Sequence, residues 1–261
     1  MGMSILVTGG TGTLGSAVVD RLADGYDVRV LSRASADGRR GERRRYERMR
    51  GDLRTGAGIA AAVAGVDVVV HCATTNGRGD VPATRNLLDA ARRAGGPHVV
   101  YVSIAGSDRI PLPYYRAKQE CEGLVERSGL RWTILRTTQF HDLIATFFAV
   151  QRWLPVVAVP AGVDFQPIDV RDVAERLAEL AAEPAAGRAA DLGGPRIRST
   201  RDLARTYLQV TGRRRLVVPL PPAGGTLRGY REGRHLVPDN AAGRRTFDDF
   251  LAEAVGTGWG A

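Results

Sequence analysis

Residues 4 to 15 read Ser-Ile-Leu-Val-Thr-Gly-Gly-Thr-Gly-Thr-Leu-Gly, and this stretch constrains the fold more than any other. Ile5, Leu6 and Val7 make the short apolar run of a buried parallel strand. Glycines follow at 9, 10, 12 and 15. A helical pattern then begins, with Leu14, Val18, Val19 and Leu22 on one face. Strand, glycine turn and helix are the three parts of a dinucleotide-phosphate site. A turn without side chains lets backbone approach a pyrophosphate, and the helix N-terminus offers free N–H groups and the positive end of its dipole. Gly10, Gly12 and Gly15 fit G-x-G-x-x-G, and Gly9, Gly12 and Gly15 fit G-x-x-G-x-x-G. Glycines also make ordinary turns. The nucleotide reading rests on the context, a strand before and a helix after.

The pattern continues as alternating strands and helices. Strands are expected at 27–31, near 45–50, and at 66–70, 98–102 and 130–136, with helices at 55–64, 82–94 and 113–128. Such alternation predicts an α/β fold, a Rossmann-type doubly wound parallel sheet with right-handed crossovers. Ligands of such sheets gather at the C-terminal strand ends. After Thr137 the rhythm loosens. Helices are expected at 140–153, 170–183, 200–211 and 246–255, with Ser199 capping the third. Strands are expected at 156–159, from Asp191 and at 216–220, and 221–240 reads as loop. Residues 1–138 are thus expected to form the nucleotide-binding core. Residues 139–261 should complete the sheet and form a small C-terminal α/β substrate lid within a single structural unit.

Composition narrows the class. The chain has 261 residues, 44% hydrophobic and 25% charged, an ordinary globular balance. No apolar run is long enough to span a bilayer. No charged leader precedes the first strand, so no signal peptide and a cytoplasmic location are expected. Cys72 and Cys121 have no pairing pattern and read as free thiols. No His, Cys, Asp or Glu cluster has ligand spacing, so no metal is expected. The net charge of +9 is uneven: residues 29–54 hold ten arginines against Asp37, Glu42, Glu47 and Asp52. With Tyr46 the only interleaved aromatic, this reads as a solvated loop rather than a nucleic-acid surface, with a pull on anionic ligands as the alternative.

The chemistry follows from the strand ends. An acid about 20 residues past the glycines marks NAD sites. Here strand two ends in Ser32-Arg33 with no acid, and an arginine can fork onto a 2′-phosphate, so NADP(H) is expected over NAD(H). Asp52 is placed to accept from the adenine amino group, or simply forms a turn after Gly51. Beyond strand five, Ser103 is followed by Tyr114 and Lys118. Tyr-x-x-x-Lys sets both side chains on one helix face. A lysine ammonium there is expected to lower the tyrosine pKa from about 10 and to hold the nicotinamide ribose, while Ser103 orients a carbonyl. His141 reads as either a pocket residue or a satisfied structural histidine, and His71 as a strand-end residue.

These residues resemble the short-chain dehydrogenase/reductases, in their atypical NmrA-like branch. The resemblance is carried by Thr8–Gly15, Ser32-Arg33, Asp52-Leu53, Cys72-Ala-Thr, Val102–Gly106, Pro113–Lys118, Trp132–Phe140 and Phe165–Val173. It implies that Gly9, Gly12, Thr13, Leu14 and Gly15 hold pyrophosphate and that Ala73 and Thr74 lie beside the adenosine ribose. It further implies that Thr137 to Phe140, Gln139 included, face the nicotinamide; Phe140 and, in its reading as a pocket residue, His141 are the candidate substrate residues. Departures are the short Ser-Ile-Ala stretch, Tyr115 competing with Tyr114, and Thr137 where a proline is common. The implied activity is NAD(P)H-dependent reduction of a carbonyl or enone on a small organic molecule, by a possible homodimer. Alternatives are a nucleotide-sensing regulator without turnover and a cofactor-retaining isomerase.

Overall fold

The computed structural model describes residues 2–33, 46–221 and 224–256. Residues 34–45, with five of the ten arginines of the basic stretch, lie outside them. In chain order the first elements are β1 (Ser4–Thr8), α1 (Thr13–Leu22), β2 (Asp27–Ser32), β3 (Glu47–Arg50), α2 (Ile59–Val63), β4 (Val68–His71) and α3 (Asp80–Arg93). Next come β5 (His98–Ile104), α4 (Pro113–Glu126), β6 (Trp132–Thr137), α5 (His141–Ala149), β7 (Val156–Pro160), β8 (Asp164–Phe165) and α6 (Val170–Ala182). The last are β9 (Gly187–Arg188), β10 (Arg198–Ser199), α7 (Thr200–Val210), β11 (Leu216–Leu220), α8 (Gly225–Arg231), a 3-10 turn at Pro238–Asn240 and α9 (Phe247–Gly256).

The chain divides into two compact units. The first comprises residues 1–103, 113–136 and 173–190. Among the described residues its strands belong to a seven-stranded parallel sheet of order β3-β2-β1-β4-β5-β6-β9. Order reverses at β1, which pairs with β2 on one side and β4 on the other. Ile5, Leu6 and Val7 are wholly buried, as a strand covered on both faces requires. Leu6, Val69, Leu87, Val99, Tyr101 and Cys121 lie in its core. The helix expected at 55–64 is only Ile59–Val63. Gly56 and Gly58 hold φ of +83° and +73°, outside the helical region, and a Cβ on Gly58 would meet the Arg50 carbonyl at 2.2 Å.

One ion-pair network pins the far edge of this unit. Glu122, 1% exposed on α4, accepts two hydrogen bonds from Arg136 at 2.9 and 2.7 Å and one from Arg188 at 3.0 Å. Burial works against the carboxylate, but the guanidiniums outweigh it and hold Glu122 below the usual carboxylate range. The contribution is therefore present above the unfolded glutamate value of about 4.3 and is lost as pH falls through the lower folded value. Glu122→Gln should cost about 3 kcal/mol in urea unfolding at pH 7, and the gap to wild type should close below about pH 4. A gap that stays constant with pH would refute the ionic contribution.

The second unit comprises residues 104–112, 137–172 and 191–261. Among its described residues, β7 pairs with β11 in parallel and β8 with β10 antiparallel. Phe148, Val157, Leu203, Tyr207, Phe247 and Leu251 lie in its core. Ser199 caps α7, its side chain accepting from the Asp202 amide. The strand expected from Asp191 is a single bridge, Leu192 to Thr137. Residues 221–240 are not all loop, because α8 forms there. A Cβ on Gly229 of α8 would stand 3.0 Å from Ile110, so the helix fits by close approach at a glycine. Cys72 and Cys121 are free thiols, and burial pushes the Cys72 thiol up to about 12.

Candidate active site

The strand order reverses at β1, and the C-terminal ends of β1 and β4 at such a switch point are where sheets of this kind bind ligands. Thr8 and His71 pair across those ends. His71 Nδ1 lies 2.6 Å from Thr8 Oγ1 and its Nε2 lies 3.1 Å from Thr84 Oγ1. Burial, with help from the Lys118 charge, lowers the His71 pKa to about 3. His71 is a neutral strand-end residue, as its position in the sequence suggests.

The glycines of the turn divide by role. Gly9 has φ +72°, and a Cβ there would stand 2.7 Å from the backbone of Ala73. A Cβ on Gly15 would be 2.0 Å from the Gly9 carbonyl oxygen, and one on Gly10 would be 2.7 Å from Val30. These three let turn, helix and strands approach one another. Gly12 differs. It is exposed, with φ −89°, and a Cβ would meet nothing closer than the Gly9 oxygen at 3.4 Å. The fold has no use for the bareness of Gly12. Above it, α1 opens at Thr13 with no capping side chain and no acid in its first turn. Open backbone below an uncapped helix N-terminus fits a pyrophosphate, so Gly12, Thr13 and Leu14 are the residues that would hold one.

On the outer side, Ser32 is buried at the end of β2 and Arg33 is exposed just beyond it. The Gly51 amide donates to the Ser32 carbonyl at 3.0 Å. Asp52 forms the turn that its alternative reading describes, its Oδ1 accepting from the Arg54 amide at 2.8 Å. The Leu53 carbonyl accepts from Asn86 at 2.9 Å.

Tyr114 and Tyr115 separate clearly. Tyr115 is buried at 4% exposure, whereas Tyr114 is half-buried and sets its hydroxyl 3.2 Å from Thr74 Oγ1 at the end of β4. Lys118 is buried, donates to the Val102 carbonyl at 3.3 Å, and stands 4.9 Å from the Tyr101 ring centre and 5.9 Å from that of Tyr114. The expectation that Lys118 lowers the Tyr114 pKa needs correction. Burial pushes Tyr114 up to about 12; a hydrogen bond with Thr74 works the other way and the Asp80 charge adds to the rise, while burial lowers Lys118. Desolvation of the phenolate wins, and the Lys118 hydrogen bond goes to a backbone carbonyl. Asp80 was not singled out by the sequence. It is 3% exposed at the start of α3 and accepts from Thr74 Oγ1 at 2.6 Å, from the Thr75 amide at 2.5 Å and from Thr75 Oγ1 at 2.8 Å. An acid opening a helix after a glycine-rich loop was the available signal. Ser103 is buried within β5.

Thr137, Gln139, Phe140 and His141 belong to the second unit. Thr137 and Gln139 are buried, and Phe140 is half-buried. The Gln139 carbonyl and the His141 amide bond the backbone of Ile168 at 2.9 Å each. His141 is fully buried, its Nε2 3.0 Å from the Arg245 carbonyl oxygen and its ring 5.7 and 5.5 Å from Phe247 and Phe250. Burial lowers its pKa. The ring is packed against these two phenylalanines with Nε2 at a carbonyl, and its buried Nδ1 has no hydrogen-bond partner among the described residues.

Comparison with known proteins agrees with this geometry. Residues 9–184 match the model of the NAD(P)H-binding family. An NAD(P)H azoreductase of Xenophilus azovorans is 30% identical over 213 residues, 80% of this chain and 74% of the relative. A (4-alkanoyl-5-oxo-2,5-dihydrofuran-3-yl)methyl phosphate reductase of Streptomyces griseus is 31% identical over 218 residues, 80% of this chain and 74% of the relative. The crystal structure of an NADPH-dependent quinone oxidoreductase of Escherichia coli, complexed with NADPH, superposes with a TM-score of 0.81 at 19% identity, covering 96% of this chain and 99% of that one, a likeness of fold. With its glycine turn, its strand-order switch point and its match over residues 9–184, the chain belongs to the NAD(P)H-binding family and is an NAD(P)-dependent oxidoreductase.

Proposed function

We propose that the protein reduces a carbonyl or enone of a small organic molecule in the cytoplasm, with NADPH as the preferred donor. The observation that carries this reading is Tyr114, a half-exposed phenol at the end of β4, on the same helix as a buried ammonium, Lys118. NADPH supplies a hydride when bound. Tyr114 gives its proton to the substrate oxygen, and Lys118 stabilises the phenolate left behind and holds a ribose hydroxyl. A phenol whose pKa is pushed up to about 12 keeps its proton at neutral pH, which suits a donor. The Streptomyces griseus relative supports the enone: its name describes a ring double bond conjugated to carbonyl groups. Oxidation of NADPH followed at 340 nm with enone, carbonyl, quinone and azo acceptors tests the assignment. Turnover confined to azo compounds would overturn the carbonyl and enone part of it.

The cofactor preference rests on Arg33, exposed where β2 ends. Arg33→Ala should weaken NADPH by about 2 kcal/mol, or ~30-fold in Kd, and leave NADH nearly unchanged, because one partner of a charge-assisted pair is removed. Calorimetric titration of both nucleotides measures this. Equal Kd values in the unmutated protein would contradict it.

A further inference from the structure

We propose that Asp80 is a positioning residue of the reaction: acting through Thr74, it holds Tyr114 with its proton on and so sets the site for reduction. The proposal rests on reading Tyr114 as the proton donor. It follows from counting hydrogens. Thr74 Oγ1 carries one hydrogen and two lone pairs. It donates to Asp80 Oδ2 at 2.6 Å, and a carboxylate has no hydrogen to return. It accepts from the Asn76 amide at 3.0 Å. The remaining contact, 3.2 Å to the Tyr114 oxygen, is therefore made with the Tyr114 proton. A hydroxyl that donated to the phenolate would favour ionisation. The Thr74 hydrogen bond lowers the Tyr114 pKa to the extent that the hydroxyl donates to the phenolate; with its hydrogen held by Asp80 it accepts, and that help to ionisation is withheld.

Asp80 makes this arrangement rigid. It is buried, and it binds Thr74 and Thr75 through three hydrogen bonds. Its charge also opposes a nearby phenolate. The other titratable groups around Tyr114 in this unit include Lys118, 5.9 Å from its ring, Tyr115, 6.4 Å centre to centre, Cys121 on the same helix, and Tyr101 on β5, whose ionisation Tyr114 opposes. Lys118 is the one cation among them, and its hydrogen bond goes to Val102. Oxidation in the reverse direction would need Tyr114 as a base, the form this arrangement disfavours. Asp80 and Thr74 thereby keep the form of the site that is competent for reduction populated to higher pH, without touching the reacting atoms or altering the overall equilibrium.

The test uses the full chain carrying ζ-13C-tyrosine, with Tyr114→Phe identifying the Tyr114 resonance, titrated from about pH 8 to about 13 so that the wild-type midpoint is bracketed. Asp80→Asn should lower the Tyr114 midpoint by about one unit or more, because the charge is gone and Thr74 is free to turn its hydrogen toward the phenolate. The alkaline limb of kcat for reduction should move down by the same amount. Thr74→Val should also lower the midpoint, and Thr74→Ser should leave it in place. If Asp80→Asn fails to fold, the Thr74 pair decides. Midpoints of Asp80→Asn and Thr74→Val equal to wild type, or of Thr74→Val alone where Asp80→Asn does not fold, would overturn the proposal. A wild type that binds NADPH and reduces no acceptor would instead overturn the reading of Tyr114 as donor, and the midpoints would still report on Asp80.

Discussion

Gly12→Val is expected to weaken NADPH at least ~100-fold while leaving the circular dichroism spectrum and melting temperature close to wild type. The reason is the division of labour among the turn glycines. At Gly15 an added Cβ would lie 2.0 Å from the Gly9 carbonyl oxygen, and at Gly9 it would lie 2.7 Å from Ala73. Both meet backbone, so substitution there distorts the turn itself and loss of binding would say little about contact with ligand. Gly12 has φ −89°, which any residue adopts, and its nearest obstacle is 3.4 Å away. A valine side chain at this position therefore occupies only the space where backbone would meet a pyrophosphate, and it shields the first amides of α1. Folded protein with lost binding is the signature of a glycine kept for a ligand. Retained binding would mean that the nucleotide lies elsewhere.

Tyr114→Phe and Lys118→Met should each lower kcat by roughly 10² to 10⁴, the range that positioned acid catalysis supplies, with NADPH bound as before by Tyr114→Phe and more weakly by Lys118→Met, which loses a ribose contact. Tyr114 is half-buried and its phenol oxygen contacts Thr74, so phenylalanine removes the proton and little packing. Tyr115→Phe should be near wild type, because Tyr115 is buried in the fold rather than set at the end of β4. Lys118 is the only lysine among 37 basic residues. Arginine would overfill its site, 4% exposed between the Val102 carbonyl and the Tyr101 ring, so loss in Lys118→Arg would mix strain with chemistry. Methionine keeps the length without the charge. Steady-state kcat with an enone or quinone, alongside NADPH titration, measures the set. Full activity in Tyr114→Phe would remove the proton donor from the mechanism.

What could be read from the sequence was local. β1, the glycine turn and α1 follow one another within about 20 residues, and their periodicities switch where the structure switches. The Tyr114–Lys118 spacing was legible for the same reason: one turn of helix fixes it. Their electrostatics were not, because the direction in which the Tyr114 pKa moves is set first by burial, which raises it. Asp80 was invisible as a partner of Thr74 and Tyr114, since Tyr114 arrives on α4 from the far side of β5. The Glu122 network was hidden likewise, its arginines coming from β6 and β9. α8 carried no apolar periodicity in Gly-Thr-Leu-Arg-Gly-Tyr-Arg and forms where Gly229 meets Ile110. The short α2 shows the opposite error, where small apolar residues suggested more helix than two left-handed glycines allow.

Transfer of label from NADPH carrying deuterium at C4 of the nicotinamide tests the central claim most directly. Incubated with an enone or carbonyl acceptor and analysed by mass spectrometry, the wild-type protein should place one deuterium on carbon of the product, and Tyr114→Phe should place almost none while binding NADPH as tightly. NADPH bound by the wild type with no label reaching any acceptor would contradict the assignment and leave a protein that holds the nucleotide without using it.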